Sequence, residues 1–561
     1  MPKHRLLPLV LLPSFLVCGC ADPGRPIPKP ALEAAAGISA ERIADHMGFL
    51  AGDELEGRGT GSNGYLQAAE YVAGRFEEFG LRPAGDDGTF FQSVPLLRAD
   101  LIGDRSFVEL VRDGKTTKLE LDRHYVMDPD PSRELSEVTA PLAFVGFGVS
   151  APGLGHDDYT GIDVRGKIAV LFRGAPASFP PDERAFYSWS RFKRSTAVEH
   201  GAVGLIEMLT EDERARDPWD EAVRESRTGI MRWLDAGGSP SDTLGGLFFS
   251  ATLSDEGMEL LFDGSPVSLA DAKAAAAESR AQRFELPGRL SARSATAHSP
   301  LESPNVVALL PGSAAGDERE YVVITAHLDH LGVGESVDGD AIYNGAYDNA
   351  SGVAIQLEVA RALAGLREPP RRSLLFLAVT AEEKGLLGAE YFVEHPTIDT
   401  DRMAANINFD MVLMPGALSV VVAFGADHSS LHDPVDRAAR TYGLRLAEDP
   451  IPEEVIFVRS DQFPFVRKGI PAVFMVSWFE ADDPQSLARF KDWMREFYHS
   501  PADDMNQVID FDAGATFARV NLLASYLVAD TPEPPAWNPG DFFGERFGRV
   551  ESQASRAVPA R

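Results

Sequence analysis

Tyr321-Val322-Val323-Ile324-Thr325-Ala326 runs straight into His327-Leu328-Asp329. An unbroken apolar and β-branched run of this length reads as a strand buried on both faces, as in parallel sheets covered by helices. The flanking sequence repeats the pattern. Residues 305–310, 373–380, 404–409, 418–423 and 472–476 read as further strands, and residues 351–363 and 384–393 as helices between them. Strands alternating with helices predict an α/β fold, a mixed and mainly parallel sheet sandwiched by helices.

Metal-competent side chains stand where these strands end, the edge at which open α/β sheets bind ligands. His327 closes the first strand, and a ligating imidazole usually gives its other N–H to a carboxylate, a role open to Asp329. Asp348 lies in Tyr343-Asn-Gly-Ala-Tyr-Asp348-Asn-Ala-Ser-Gly352, just before a helix. One such carboxylate can bridge two cations roughly 3.5–4 Å apart. Glu382 and Glu383 follow the 373–380 strand. On a turn one of them can ligate while its neighbour serves as general base. Asp410 ends Ile407-Asn-Phe-Asp410, and His499 stands in Tyr498-His-Ser-Pro-Ala-Asp503. Two His and three carboxylates suit zinc, with cobalt and manganese as substitutes. Taken singly, each of these residues is an ordinary cap, turn or surface group. Their order and their common position at strand ends make one site of them.

A chain of 561 residues exceeds one ordinary core, so two or three domains are expected. Its formal net charge of −32 argues against nucleic acid as a partner, because phosphate backbones are repelled. Residues 39–136 and 287–530 read as the two parts of the main domain, interrupted by a smaller β-rich α/β unit over 137–286. Residues 531–561 are proline-rich and polar and read as a poorly ordered tail.

The start of the chain is different in character. Lys3 and Arg5 precede an apolar run over residues 6–17 that is too short to span a bilayer and reads as a secretory signal peptide. It ends Val17-Cys18-Gly19-Cys20, which resembles a bacterial lipoprotein processing signal. On that reading residues 1–20 form the signal segment, cleaved just before Cys20 so that Cys20 carries lipid as the first mature residue, and residues 21–38 form a tether. The protein would be secreted across the inner membrane and held by lipid at the periplasmic face. Cys18 and Cys20 are the only cysteines, so cleavage before Cys20 leaves one, which carries lipid, and excludes both thiolate zinc sites and internal disulfides.

Residues 39–530 resemble the zinc aminopeptidases of peptidase family 28. The resemblance is carried by Leu50-Ala-Gly-Asp-Glu-Leu-Glu-Gly-Arg-Gly-Thr-Gly61, Gly345-Ala-Tyr-Asp-Asn-Ala-Ser-Gly352, Ala381-Glu-Glu383, Asn408-Phe-Asp410 and Tyr498-His499. In the interrupting block, Phe144-Val-Gly-Phe-Gly148 and His156-Asp-Asp-Tyr159 resemble a protease-associated (PA) domain. The resemblance implies peptide substrates and two zinc ions. His327 and Asp410 would hold one, Glu383 and His499 the other, and Asp348 would bridge them. It also implies Glu382 as general base and Asp329 as the group orienting His327. The same fold also carries carboxypeptidases, amidohydrolases and receptor-like proteins. A carboxypeptidase would need a cationic pocket, for which Arg459, Arg467 and Lys468 are candidates. Residues 180–194 of the insertion would be either a lid or a structural element. The oligomeric state is left open.

One departure stands out. Relatives carry a tyrosine shortly before a Ser-Asp-His run, thought to support the oxyanion. Here the stretch is Ile456-Phe-Val-Arg-Ser-Asp-Gln-Phe463, with Phe457 or Val458 in place of the tyrosine and Gln462 in place of the His. Tyr498, Tyr347 and Arg459 are the candidates to take over.

Overall fold

The computed structural model describes residues 26–549, apart from 217, 281, 315, 317, 318, 413, 415–417 and 479–483. The expected signal peptide and the expected lipidation site Cys20 lie outside the described residues. No helix among the described residues is long and apolar enough to cross a membrane.

The strand Tyr321–His327 sits at the centre of the main sheet. It pairs in parallel with Ser373–Val379 on one side and Met403–Asn408 on the other. Met403–Asn408 continues in parallel to Ala472–Trp478, which pairs antiparallel with Val420–Phe424. On the other flank Ser373–Val379 pairs antiparallel with the end of the long strand Arg283–Leu310, and that in turn with Phe91–Leu101. All seven residues of Tyr321–His327 are buried. Helices cover both faces. Ala40–Leu50, Asn63–Glu78, Ser351–Ala364 and Phe511–Asp530 share one apolar core, while Leu387–Glu394 and Gln462–Arg467 pack on the opposite side.

Local chemistry starts these helices as expected. Ser39 accepts from the Arg42 amide and Ser62 from the Tyr65 amide, each satisfying a donor that the helix leaves free. The expected helix over 384–393 begins later, at Leu387. Gly385 and Leu386 take φ of 106° and 63°, which ends the preceding turn rather than opening a helix.

A second sheet surrounds the other half of Arg283–Leu310. Residues 283–295 of that strand pair with Leu135–Val145, and part of the same stretch with Phe107–Arg112. Beyond them Ile168–Phe172, Gly204–Met208 and Ser250–Leu253 run parallel. This sheet therefore starts near Phe107, about 30 residues before the expected boundary at 137. One 28-residue strand serves both sheets. The second unit also returns a strand to the first, because Ile230–Trp233 pairs antiparallel with Phe91–Leu101.

The tail expected from residue 531 is a packed strap over 531–549. Trp537 Nε1 donates to the Gly469 carbonyl, and Asp541 caps the helix Phe542–Phe547. Phe543 is fully buried against His428, Phe457 and Phe463. Its aromatic residues supply the burial that the prolines and polar residues around them conceal.

Candidate metal centre

His327 is the last residue of the central strand, so its side chain emerges at the C-terminal edge of the sheet. Its Nδ1 donates to the main-chain carbonyl of Asp329 at 3.1 Å, which leaves Nε2 free to bind a cation. Nε2 lies 3.1 Å from Asp348 Oδ1 and 3.1 Å from Asp410 Oδ1. The orienting role expected of the Asp329 carboxylate thus falls to its main chain. The carboxylate instead accepts from the Glu382 amide at 3.0 Å and from Thr60 Oγ1 at 2.9 Å, because it faces the next strand end rather than the imidazole.

His499 approaches from the far end of the chain. Its Nε2 is 3.4 Å from Asp348 Oδ2 and 3.3 Å from Glu383 Oε2. The two oxygens of Asp348 therefore face different histidines. Donor atoms of His327, Asp348 and Glu383 all fall within 4.8 Å of one another. His327, Asp348, Glu383, Asp410 and His499 are thus brought together, with Glu382 beside them on the same turn. Three carboxylates against two imidazoles in a buried space call for added positive charge, and the donor set fits zinc.

The electrostatics follow from this crowding. Burial pushes the Glu382 carboxyl well above the usual range, and the charges of Glu383 and Asp461 add to the effect. Burial works the same way on Glu383, but His499 and His330 outweigh it and hold that carboxyl well below its ordinary value. His499 resists charging through burial, yet Glu383 and Asp348 raise it to about 10.

Several supporting residues were not singled out in the sequence, although Arg58, Asn349 and Gly352 lie within the motifs that carry the resemblance. His330, fully buried, places Nδ1 2.7 Å from Glu383 Oε1. Asn349 ties the Asp348 loop to the Asp410 loop. It donates to the Phe409 carbonyl at 3.0 Å and accepts from the Met411 amide at 3.2 Å. Gly352 permits that approach, since a Cβ there would sit 2.4 Å from the Phe409 oxygen. Arg58 is buried beneath the site and donates to four main-chain carbonyls, of Leu50, Leu328, Asn344 and Gly345. Burial lowers its pKa to about 10, against the pull of Asp503 and Asp329. A fully extended donor fork on carbonyls from three segments sets the floor of the site.

The departing stretch proves to be structural. Ser460 Oγ donates to Asp410 Oδ2 at 2.6 Å. Gln462 accepts from Asn408 Nδ2 at 3.0 Å and donates to the Phe457 carbonyl at 2.7 Å. Phe457 stacks among His428 and Phe543 in the core. The Tyr347 hydroxyl donates to the Val508 carbonyl at 3.2 Å, whereas the Tyr498 ring lies flat on His499 at 3.8 Å. Arg459, Arg467 and Lys468 pair with Glu454, Glu390 and Glu394.

Residues 305–525 match the model of peptidase family M28. The leupeptin-inactivating enzyme 1 of Streptomyces exfoliatus is 28% identical over 242 residues, 41% of this chain and 50% of that protein. A probable zinc metalloprotease of Pyrenophora teres f. teres is 37% identical over 113 residues, 20% of this chain and 23% of that protein. Aminopeptidase YwaD of Bacillus subtilis is 28% identical over 191 residues, 34% of this chain and 37% of that protein. The chain thus spans at most half the length of these relatives. Among solved structures, an aminopeptidase from Aneurinibacillus sp. strain AM-1 superposes with a TM-score of 0.51 at 21% identity, covering 91% of this chain and 98% of that one, and so shares the fold. The match to peptidase family M28 thus covers residues 305–525, the segment that carries His327, Asp348, Glu383, Asp410 and His499.

Proposed function

We propose that this chain is a two-zinc aminopeptidase that removes residues from the free N-termini of peptides. The observation that carries the proposal is the position of Asp348, whose two oxygens face His327 and His499 separately. His327 and Asp410 form one half-site, Glu383 and His499 the other, with Asp348 common to both. When bound, zinc supplies Lewis acidity toward a scissile carbonyl and makes water a stronger acid.

The chain's own residues do the rest. Glu382 takes the proton of the attacking water and returns it to the leaving amine nitrogen. Asp329 fixes Glu382 by accepting its main-chain N–H. His330 and Ser460 fix Glu383 and Asp410 by hydrogen bonds to their carboxylates. Tyr498 supplies the hydroxyl for the developing oxyanion, since Tyr347 is committed to Val508. The ion pairs of Arg467 and Lys468 favour this reading over a carboxypeptidase, whose pocket needs cations held for substrate. The residues around 137–286 act as a PA-type insertion, and Cys20 carries the lipid that anchors the secreted protein at the periplasmic face.

The test pairs zinc content with cleavage of matched free and N-acetylated peptides by protein lacking residues 1–20. About two zinc per chain, with cleavage of free N-termini alone, is expected. Cleavage of blocked peptides would favour a carboxypeptidase or amidohydrolase. Protein with neither zinc nor activity would be a receptor-like binding protein.

A further inference from the structure

The inserted segment reaches the catalytic turn through one side chain. Arg191 lies in the first turn of the helix Ser190–Glu199, well outside the M28 segment. Its Nη1 donates to both oxygens of Glu390 at 2.8 and 2.9 Å, and its Nη2 to the Gly385 carbonyl at 3.4 Å. Its Nε is braced at 3.0 Å by Asp242, from the same insertion. Glu390 is itself buried in the helix Leu387–Glu394, and it also receives Arg467 at 3.1 Å and Trp233 Nε1 at 3.3 Å.

The two points that Arg191 holds bracket the end of the turn bearing Glu382 and Glu383. That turn closes on itself, because the amides of Gly385 and Leu386 donate to the Glu382 carbonyl at 2.8 and 2.9 Å. Asp329 fixes its inner side through the Glu382 amide, and Arg191 fixes its outer side through the Gly385 carbonyl. The neighbouring Trp189 stacks on Arg467 at 4.8 Å and meets Phe463 edge-on at 5.3 Å. Phe463 and Arg467 belong to the helix that follows Ser460, the residue bonded to Asp410. The Glu382–Glu383 turn and the helix following Ser460 are thus both braced by the same short stretch of the insertion.

We infer that Arg191 is a positioning residue for the Glu382–Glu383 turn, so that the insertion is a working part of the catalytic apparatus. The inference rests on the aminopeptidase reading for its kinetic consequence alone. A planar fork that grips a carboxylate and a carbonyl together restricts the turn in a way that a single point charge does not. A slackened turn leaves Glu382 near its place but poorly aimed, which costs turnover more than substrate binding.

The experiment compares Arg191→Gln, Arg191→Lys and Glu390→Gln with wild type in the full mature chain. Steady-state kinetics, hydrogen exchange at the Gly385, Leu386 and Leu387 amides, zinc retention against a chelator, and thermal unfolding are measured together. Arg191→Gln is expected to lower kcat about ten-fold with KM within about two-fold, to speed exchange at those amides and to weaken zinc retention. Arg191→Lys, which keeps the charge without the fork, should recover only part of the loss. Unchanged exchange and zinc retention in Arg191→Gln would overturn the inference, as would losses that merely follow a general fall in thermal stability. Should wild type cleave no peptide, the aminopeptidase reading fails, while exchange and zinc retention still decide the role of Arg191.

Discussion

Asp503 holds the loop that presents Asp348: its Oδ1 accepts from the Tyr347 amide and its Oδ2 from the Asp348 amide, each at 3.0 Å. Neither contact is to a proposed ligand's side chain, yet together they set where that side chain stands. Residues of this kind tune metal sites nearly as strongly as the ligands do. Asp503→Asn replaces one acceptor oxygen with a donor facing an N–H. Zinc affinity is expected to fall about 10- to 100-fold, measured by competition with a chromogenic chelator. Equal affinity in the variant would show that the loop holds itself.

Glu382 separates metal binding from proton transfer. Glu382→Gln keeps the shape of the side chain and the bond from its amide to Asp329. Activity is expected to fall by roughly 10²–10⁴ with zinc content unchanged. A variant that lost zinc in proportion to activity would make Glu382 a ligand instead.

Tyr498 lies on His499 with its ring nearly parallel, 20° from coplanar. Tyr498→Phe retains the stacking and removes the hydroxyl. A fall in kcat of about 10²-fold at constant zinc content is expected if that hydroxyl meets the oxyanion. Wild-type turnover in Tyr498→Phe would return the role to Arg459.

His428 makes stability depend on pH far from the metal site. It sits 2.6 Å from Asp541 of the C-terminal strap and 3.5 Å from Asp182 of the insertion. Burial opposes its charge, but the two aspartates prevail and raise it to about 9. Because the folded value exceeds the unfolded one, the charged His428 stabilises fully below about pH 6.5 and loses its contribution as pH rises through about 9. The contribution is about 3 kcal/mol at most. Denaturant midpoints between pH 6 and 10 should therefore decline in wild type and decline less in His428→Gln. Parallel curves for the two proteins would remove His428 from the account.

The sequence was most informative where chemistry meets an interrupted pattern. His327 and Asp410 could be read because each closes a largely apolar run, at the edge where open sheets bind ligands. Asp348 could be read because it precedes a helix within a Gly-rich loop. What stayed hidden depends on tertiary approach. His330 lies three residues beyond His327, but nothing local says that it will meet Glu383, 53 positions away. Arg58 looks like a surface cation until four carbonyls close around it. The limits of the second sheet were misplaced for a related reason. The strand Arg283–Leu310 passes from one sheet to the other between Ala295 and Thr296, whereas its Pro287-Gly288 pair falls at a register shift inside the second sheet. Phe543 was hidden by composition, because prolines and charges dominate the stretch in which it lies.

That continuous strand also limits how the molecule can move. Residues 283–295 are laced into one sheet and 296–310 into the other, and Ile230–Trp233 crosses back to the first. Swinging one unit about the other would shear backbone hydrogen bonds in both sheets, and the shared strand is not free to absorb the rotation as a hinge does. Access to the site must then be governed at its rim, by loops and side chains, rather than by jaws that open and shut. A peptide would find a mouth of fixed gape, and selectivity would come from what can thread into it.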